Sequence, residues 1–390
     1  MNISHINCCG CGACVKACPQ KCISYKYNIE GFLKAEIESD ACIGCGLCLK
    51  ICPVNDFIDF NDTISAYIGY TNDEQTRNNS TSGGVFFEIA KSVILEGGVV
   101  YGAAYESDFS IKHIRVDNLI ELKKLQGSKY AQSNICGCHA LIESDLKNGK
   151  TVLFSGTPCQ VAAVNKLFKS RFTSKLLTVD LICHGVPSQK LFTDYVKYIE
   201  KTKKAKVKSY QFRCKEKSTD LISYNTKIVL QNKKDLKTEI IDGNEDPFVL
   251  RFLSNSLQNE VCFECPFAIE KRCSDITLGD FWGFEKVFPE KTEILKKGIS
   301  LILTNTLLGS DLLDAVSNIT VEKILRDEYI HYNSHLSKPS FENQQRDTLY
   351  KHYVQYGFSK KFYNKYFLPH KYKEYILKRR IWRLIRWIKK

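Results

Sequence analysis

Eight cysteines in two copies of one spacing constrain this chain more than any other feature. Cys8-x2-Cys11-x2-Cys14-x3-Cys18-Pro19 returns as Cys42-x2-Cys45-x2-Cys48-x3-Cys52-Pro53, an internal repeat with a period of 34 residues. A cubane of iron and sulfide needs four thiolates around a compact core; a tight CxxCxxC loop delivers three, and the fourth arrives from elsewhere. In paired runs of this kind the fourth cysteine of each serves the other cluster. The spacing therefore predicts one [4Fe-4S] cluster on Cys8, Cys11, Cys14 and Cys52 and a second on Cys42, Cys45, Cys48 and Cys18. Gly10, Gly12, Ala13, Gly44 and Gly46 are small enough to let backbone N–H groups approach the inorganic sulfurs. Zinc also takes four thiolates, but by joining two CxxC pairs per ion. Two four-cysteine runs, each closed by Cys-Pro, favour iron–sulfur. Cys9 and Cys22 fall outside the pattern and read as small buried side chains.

A chain of 390 residues with 44% apolar and 25% charged side chains is globular, with room for two or three domains, and a disordered chain is excluded. Eighteen cysteines with CxxC spacing in so long a chain point to metal binding in a reducing compartment rather than to a disulfide scaffold. No N-terminal run has the order of a signal peptide, and no stretch reaches the roughly 18 apolar residues of a membrane span. A cytoplasmic protein is expected. The net charge of +13 is uneven: from Lys371 to Lys390 nine basic residues stand against one acid, Glu374. That concentration argues against nucleic acid as a partner of the whole chain. In the same segment Ile376, Leu377, Ile381, Leu384, Ile385, Trp387 and Ile388 cover one helical face and basic residues the other. The pattern suits a helix lying on anionic lipid at the inner face of a membrane, or a solvated helix with its apolar side packed on the body.

The expected fold class is α+β: an N-terminal dicluster ferredoxin-like domain (1–60), a mixed α/β body (66–150 and 151–330) and a helical, basic tail (331–390). Weak alternation from Ile23 to Ile37 predicts the short strands of a βαββαβ ferredoxin fold, and the polar segment Val54 to Thr63 a linker. In the body, Ser82-Gly83-Gly84 precedes an apolar stripe at helical spacing from Val85 to Ile94. The N–H groups and dipole of such a helix start suit a phosphate, although a Ser N-cap with glycines is also an ordinary helix start. Gly127-Ser128-Lys129-Tyr130-Ala131-Gln132-Ser133 reads as a polar loop. The strand Thr151 to Ser155 runs into Gly156-Thr157-Pro158-Cys159-Gln160, and the strand Leu176 to Ile182 into Cys183-His184-Gly185. Ligands and reactive groups gather at such strand ends in α/β sheets. Cys262-x2-Cys265 repeats the metal-ligand spacing, and Ser274 to Gly283 reads as a strand into an acidic, aromatic turn.

SGGVFFEIA from Ser82, GSKYAQS from Gly127, GTPCQVAAV from Gly156, CHGVPS from Cys183, CFECPF from Cys262 and SDITLGDFWG from Ser274 together resemble the coenzyme F420 hydrogenase/dehydrogenase beta subunit family. The resemblance is to its bacterial branch with an N-terminal dicluster ferredoxin, often met among surface-polysaccharide genes, and covers about residues 1 to 310. It implies an iron–sulfur flavoprotein oxidoreductase that binds FAD and relays electrons between clusters and an organic substrate, with a redox partner protein or reduced ferredoxin. A small molecule or glycan precursor is the substrate class it implies, and the family's deazaflavin does not carry over of necessity. By resemblance, Ser82, Gly83 and Gly84 lie at the flavin phosphates, and Lys129, Tyr130 and Ser133 beside the flavin. It also supports grouping Cys159, Cys183, Cys262 and Cys265 as ligands of a third [4Fe-4S] cluster, with Cys273 in reserve. Three other readings stay open: a nucleophilic Cys159 assisted by His184, ordinary buried cysteines in the body, and an electron-relay subunit that does no chemistry of its own. His184 is the candidate proton donor, against a histidine merely bonded within its turn.

Overall fold

Each cysteine run folds the same way because a glycine turns the chain behind its second cysteine. Gly12 (φ 70°) caps α1 (Ala13–Ala17) and Gly46 (φ 71°) caps α2 (Leu47–Lys50), in the left-handed region that glycine enters at little cost. Between the helices β1 (Ile23–Tyr27) and β2 (Leu33–Ile37) pair antiparallel. The computed structural model describes residues 7–56, 58–216, 225–233, 235–243 and 245–368. Among these, the expected βαββαβ pattern is reduced to the hairpin and the two short helices. The segment predicted as a linker is packed: Ile58 is buried, and Asn61 and Arg272 exchange backbone hydrogen bonds of 2.8 and 2.9 Å.

The body is one mixed sheet. Its centre is four parallel strands, β4 (Val99–Tyr105), β6 (Val152–Ser155), β7 (Leu176–Leu181) and β11 (Ile276–Asp280), whose continuous apolar runs suit strands covered on both faces. Antiparallel strands extend it: β5 (Ile111–Val116) beyond β4, and β12 (Ser300–Thr304), β3 (Ser65–Thr71) and β13 (Ile319–Ile324) beyond β11. Among the described residues the order is β13-β3-β12-β11-β7-β6-β4-β5. Strands from 66–150 and from 151–330 thus share a single layer, with β3 seated between two strands of the second segment.

The helix predicted after Ser82 is α3 (Val85–Leu95), but its cap is Gly84 (φ 83°); the Ser82 hydroxyl instead donates to the Ile299 carbonyl (2.6 Å). The helices α4 (Cys138–Lys147) and α5 (Pro158–Phe168) pack on β4, β6 and β7. A second sheet, β8 (Lys206–Cys214), β9 (Asn225–Asn232) and β10 (Asp235–Asp242), is inserted between β7 and β11. Within the segment expected as a helical tail, α6 (Gln345–Tyr356) forms. The lipid-binding reading falls on residues 371–390, outside the described residues. Among the described residues no helix is long and apolar enough to cross a membrane.

The ferredoxin segment is fastened to the body by buried polar contacts. Arg346, 1% exposed, pairs with Glu30 (2.6 Å), whose carbonyl also accepts from the Ser188 hydroxyl (2.7 Å). Gln132 Oε1 accepts from Leu33 N–H (2.7 Å), while Gln132 Nε2 donates to the carbonyls of Leu33 (3.1 Å) and Cys9 (3.3 Å).

Candidate cluster and cofactor sites

The first cysteine set closes on a small cavity of about 20 Å3 lined by Cys8, Cys11, Cys14 and Cys52, together with Cys9 and Cys48. Cys52 comes from the second run yet lies beside Cys8 and Cys11, the crossing that the repeat predicts. Gly10 N–H donates to Cys8 Sγ (3.4 Å), as the small spacers are expected to. The second set is open: Cys42 and Cys45 are exposed, and nothing stands within 4 Å of a Cβ built on Gly44 or Gly46. Cys18 joins this end, its sulfur 3.4 Å from that of Cys22, which also touches Cys42. Cys9 and Cys22 are buried, as expected of small side chains, but each abuts two cysteines of the predicted sets rather than apolar neighbours alone.

In the body, the C-terminal ends of β6, β7 and β11 point the same way and carry the chemistry-bearing turns. Pro158 at the first position of α5 and a capping box between Thr157 and Gln160 fix the turn after β6, with the Thr157 N–H donating to Gln160 Oε1 (3.1 Å). This sets Cys159 at the helix N-terminus, where free N–H groups favour a thiolate; contact with Cys9 also draws its pKa down. After β7, Gly185 N–H donates to Cys183 Sγ (3.3 Å), the same Cys-x-Gly device as at Cys8. Gly185 has φ +87°, and a Cβ there would meet the Cys262 Cβ at 2.9 Å. Cys183, Cys262 and Cys265 all lie within electrostatic reach of Cys159. The four predicted body cysteines are thereby brought together. Burial pushes the Cys183 thiol up to about 12 and Cys265 to about 11, so these groups ionise only if a cation joins them. Cys273 is turned away, its thiol donating to the Pro158 carbonyl (3.5 Å). Among the described residues no three His, Cys, Asp or Glu side chains are placed to grip one metal ion, which a cubane, with its thiolates on four separate irons, does not require.

Beside this group opens a cavity of about 560 Å3, within the roughly 300–1,000 Å3 of ligand pockets. Its lining includes Cys159, Cys183 and His184 together with Ser82, Gly84, Lys129, Tyr130 and Ser133. Two sequence motifs meet here because Thr81 Oγ1 accepts from Ser128 N–H (2.8 Å) and Gln126 Nε2 donates to the Ser80 hydroxyl (3.3 Å). Tyr130 stacks on Phe252 (4.6 Å, 17°), and Gln160 Nε2 donates to Ser133 Oγ (2.9 Å). The Lys129 ammonium is held by the carbonyls of Lys124, Gln126 and Gly127 at 2.9–3.1 Å, and desolvation draws its pKa down to about 7.

Gly83 does not line the cavity. Its N–H donates to Ser300 Oγ (3.0 Å), and a Cβ would stand 2.3 Å from the Gly69 carbonyl oxygen, so its smallness serves packing. Burial and the neighbouring His335 ring, 4.0 Å away between centroids, pull the His184 pKa down to about 4. At neutral pH this leaves an uncharged imidazole.

Sequence reasoning passed over Arg213 and Asp280, an ion pair in the cavity wall with Trp282 beside it. Asp280 and Trp282 lie in the flagged stretch after β11, but Arg213 comes from the inserted sheet, where no local spacing marks it.

Residues 7–55 match the 4Fe-4S dicluster domain, and residues 149–326 match the C terminus of the coenzyme F420 hydrogenase/dehydrogenase beta subunit. Over residues 149–326 the chain is thus similar to the C terminus of the coenzyme F420 hydrogenase/dehydrogenase beta subunit. The matched range contains the strand-end turns with Cys159, Cys183 and His184 and the pair Cys262 and Cys265. The N-terminal match is to a dicluster domain, which supports two [4Fe-4S] clusters in residues 7–55. Among solved structures, a chain of the xenon-derivatised F420-reducing [NiFe] hydrogenase complex from Methanosarcina barkeri aligns with a TM-score of 0.45 and 16% identity, over 71% of this chain and 92% of its own. Comparison with curated proteins gives no match.

Proposed function

We propose that the protein takes single electrons from a redox partner and passes them through the two ferredoxin clusters and a third cluster, on Cys159, Cys183, Cys262 and Cys265, to FAD in the large cavity. The observation that carries this reading is that Cys159 and Cys183 line the same cavity as Lys129, Tyr130 and Ser133. A flavin exchanges electrons singly with clusters and in pairs with an organic substrate, so a cluster ligand set and a flavin-sized space belong side by side. Around the cavity the chain supplies aromatic faces in Tyr130 and Phe252, the amide end of α3 and the polar loop of Lys129. The exposed loop with Cys42 and Cys45, flanked by Ile43 (64% exposed) and Leu47 (43%), is the face on which a partner would dock. A glycan precursor is the substrate class that the family resemblance suggests.

Anaerobic purification with iron, sulfide and flavin counts tests the whole reading. About twelve irons, from three four-iron cubanes, and one FAD per chain are expected, with the flavin bleached by dithionite. About eight irons and no FAD, even after reconstitution, would leave an electron-relay subunit as the better reading. Gly185→Ala gives a sharper check of the third cluster. A Cβ in the left-handed region, pressed on Cys262, is expected to cost about four irons and spare the ferredoxin clusters, seen by iron analysis and electron paramagnetic resonance. Full retention of iron would contradict the ligand set.

A further inference from the structure

The hairpin between the two cysteine runs sets its tip into the body beneath α6, a helix that lies beyond the matched family range. Phe32 packs against Tyr350 of α6 (5.5 Å between ring centroids), and a Cβ on Gly31 (φ +81°) would stand 2.4 Å from the Lys190 Cβ. One buried guanidinium closes over this tip. Arg346 donates from Nη1 and Nη2 to the two carboxylate oxygens of Glu30 (3.2 and 2.6 Å) and from Nε to the Gln258 carbonyl (2.9 Å). Its guanidinium also lies 4.7 Å from the Tyr350 ring centroid. Its other acidic neighbours, Asp347 (3.3 Å) and Glu260 (3.6 Å), are exposed.

The two groups that Arg346 joins lead to different cysteine sets. From Glu30 the chain runs into β2, whose Ala35 lines the cavity of the first ferredoxin set. From Gln258 it runs through Asn259 to Cys262, and Asn259 Nδ2 donates to the Cys8 carbonyl (3.2 Å). Tyr350, one turn along α6, ties in a third segment. Its hydroxyl donates to the Leu257 carbonyl (2.7 Å) and accepts from the N–H of Ser188 (3.4 Å), in the loop after Cys183. A lysine, as a single point charge, would not hold both carboxylate oxygens and a carbonyl in fixed directions.

We propose that Arg346 is a positioning residue for electron transfer, which sets the separation between the first ferredoxin cluster and the body cysteines by clasping the hairpin tip to the loop that leads to Cys262. The inference rests on the third-cluster reading. A bidentate fork with a third bond at Nε admits one arrangement of the two segments. Opening it leaves a buried charge without its partner, a strongly unfavourable state. The ferredoxin segment thus behaves as part of the body rather than as a swinging arm. Single electrons pass between clusters at a fixed distance, and no bond forms or breaks.

The test compares full-length wild type, Arg346→Met, Glu30→Gln and the double variant, reconstituted anaerobically with iron and sulfide. Iron content, amide hydrogen exchange and electron paramagnetic resonance after dithionite reduction are measured on each. All four are expected to hold about twelve irons. In Arg346→Met the amides of Phe32 and Leu33, bonded to Asn28 and Gln132, should exchange roughly a hundredfold faster, the low end of what breaking a buried ion pair costs. Amides of β6 and β7 should keep their wild-type rates. The magnetic interaction between the reduced ferredoxin and body clusters falls steeply with distance and should weaken at an unchanged iron count, which lost stability alone does not produce. Glu30→Gln should act in the same direction, and the double variant should exchange little faster than Arg346→Met, since both changes remove one pair. Unchanged hairpin exchange, an unchanged magnetic interaction, or additive effects in the double variant would each overturn the proposal. Equal acceleration in β6 and β7 would overturn it by making Arg346 a general stabiliser. Where Arg346→Met fails to hold iron, Glu30→Gln, which keeps the guanidinium on Gln258, decides by the same measurements. A wild type with about eight irons would bring down the third-cluster reading, and this inference with it.

Discussion

Cys52→Ala should strip about four irons from the protein, and they should be the four held by the first cysteine run rather than by the run in which Cys52 sits. The reason is positional: Cys52 lines the cavity with Cys8, Cys11 and Cys14 and stands beside Cys11, whereas Cys42 and Cys45 face solvent. Double substitutions turn this into a count. Cys11→Ala with Cys52→Ala removes two ligands of one cubane, so the loss should stay near four irons. Cys11→Ala with Cys18→Ala breaks both cubanes and should cost about eight. If each run instead wrapped its own cluster, the two doubles would exchange these outcomes. Iron and sulfide analysis, with one electron paramagnetic resonance signal expected to survive in the first double, decides between them.

The ferredoxin segment was legible in the sequence because its chemistry is local: spacing within a turn sets which thiolates can reach one cubane, and glycine at Gly12 and Gly46 fixes where each helix starts. The central strands were legible for a similar reason, as Val152-Leu153-Phe154 and Leu176-Leu177-Thr178-Val179 are apolar runs without alternation. Their ends carry Cys159 and Cys183, which line one cavity. Contacts made across long sequence separations were not legible. Arg213 reaches Asp280 from an inserted sheet, and His335 reaches His184 from beyond the family motifs. Gly83 misled because a glycine needed for packing and a glycine needed for a ligand look alike in sequence; only the Gly69 carbonyl and Ser300 around it tell them apart. Cys9 breaks the ligand spacing, and no local signal marks that it packs beside Cys159, 150 residues away.

Ala103→Trp is expected to abolish FAD binding while leaving the clusters in place. Ala103 lies on β4 in the wall of the large cavity, close to Lys129 and Tyr130 in the lining, and is only partly buried. An indole there occupies a substantial part of about 560 Å3, and a strand position tolerates an aromatic residue, so the cost falls on the ligand more than on the fold. The cysteines come from the ends of β6 and β7 and from the loop before β11, not from β4. Iron should therefore remain near twelve per chain while bound flavin falls below about a tenth of the wild-type content. Tyr130→Ala acts in the opposite sense, emptying space and removing the ring stacked on Phe252; the loss of one aromatic platform is expected to weaken FAD by about tenfold. Flavin released on denaturation, measured beside iron and a thermal melt, separates the cases. If Ala103→Trp keeps its flavin, the cofactor lies elsewhere and the cavity serves the substrate or a partner. If it loses flavin and iron together, the indole has disturbed the sheet, and Tyr130→Ala becomes the variant that decides.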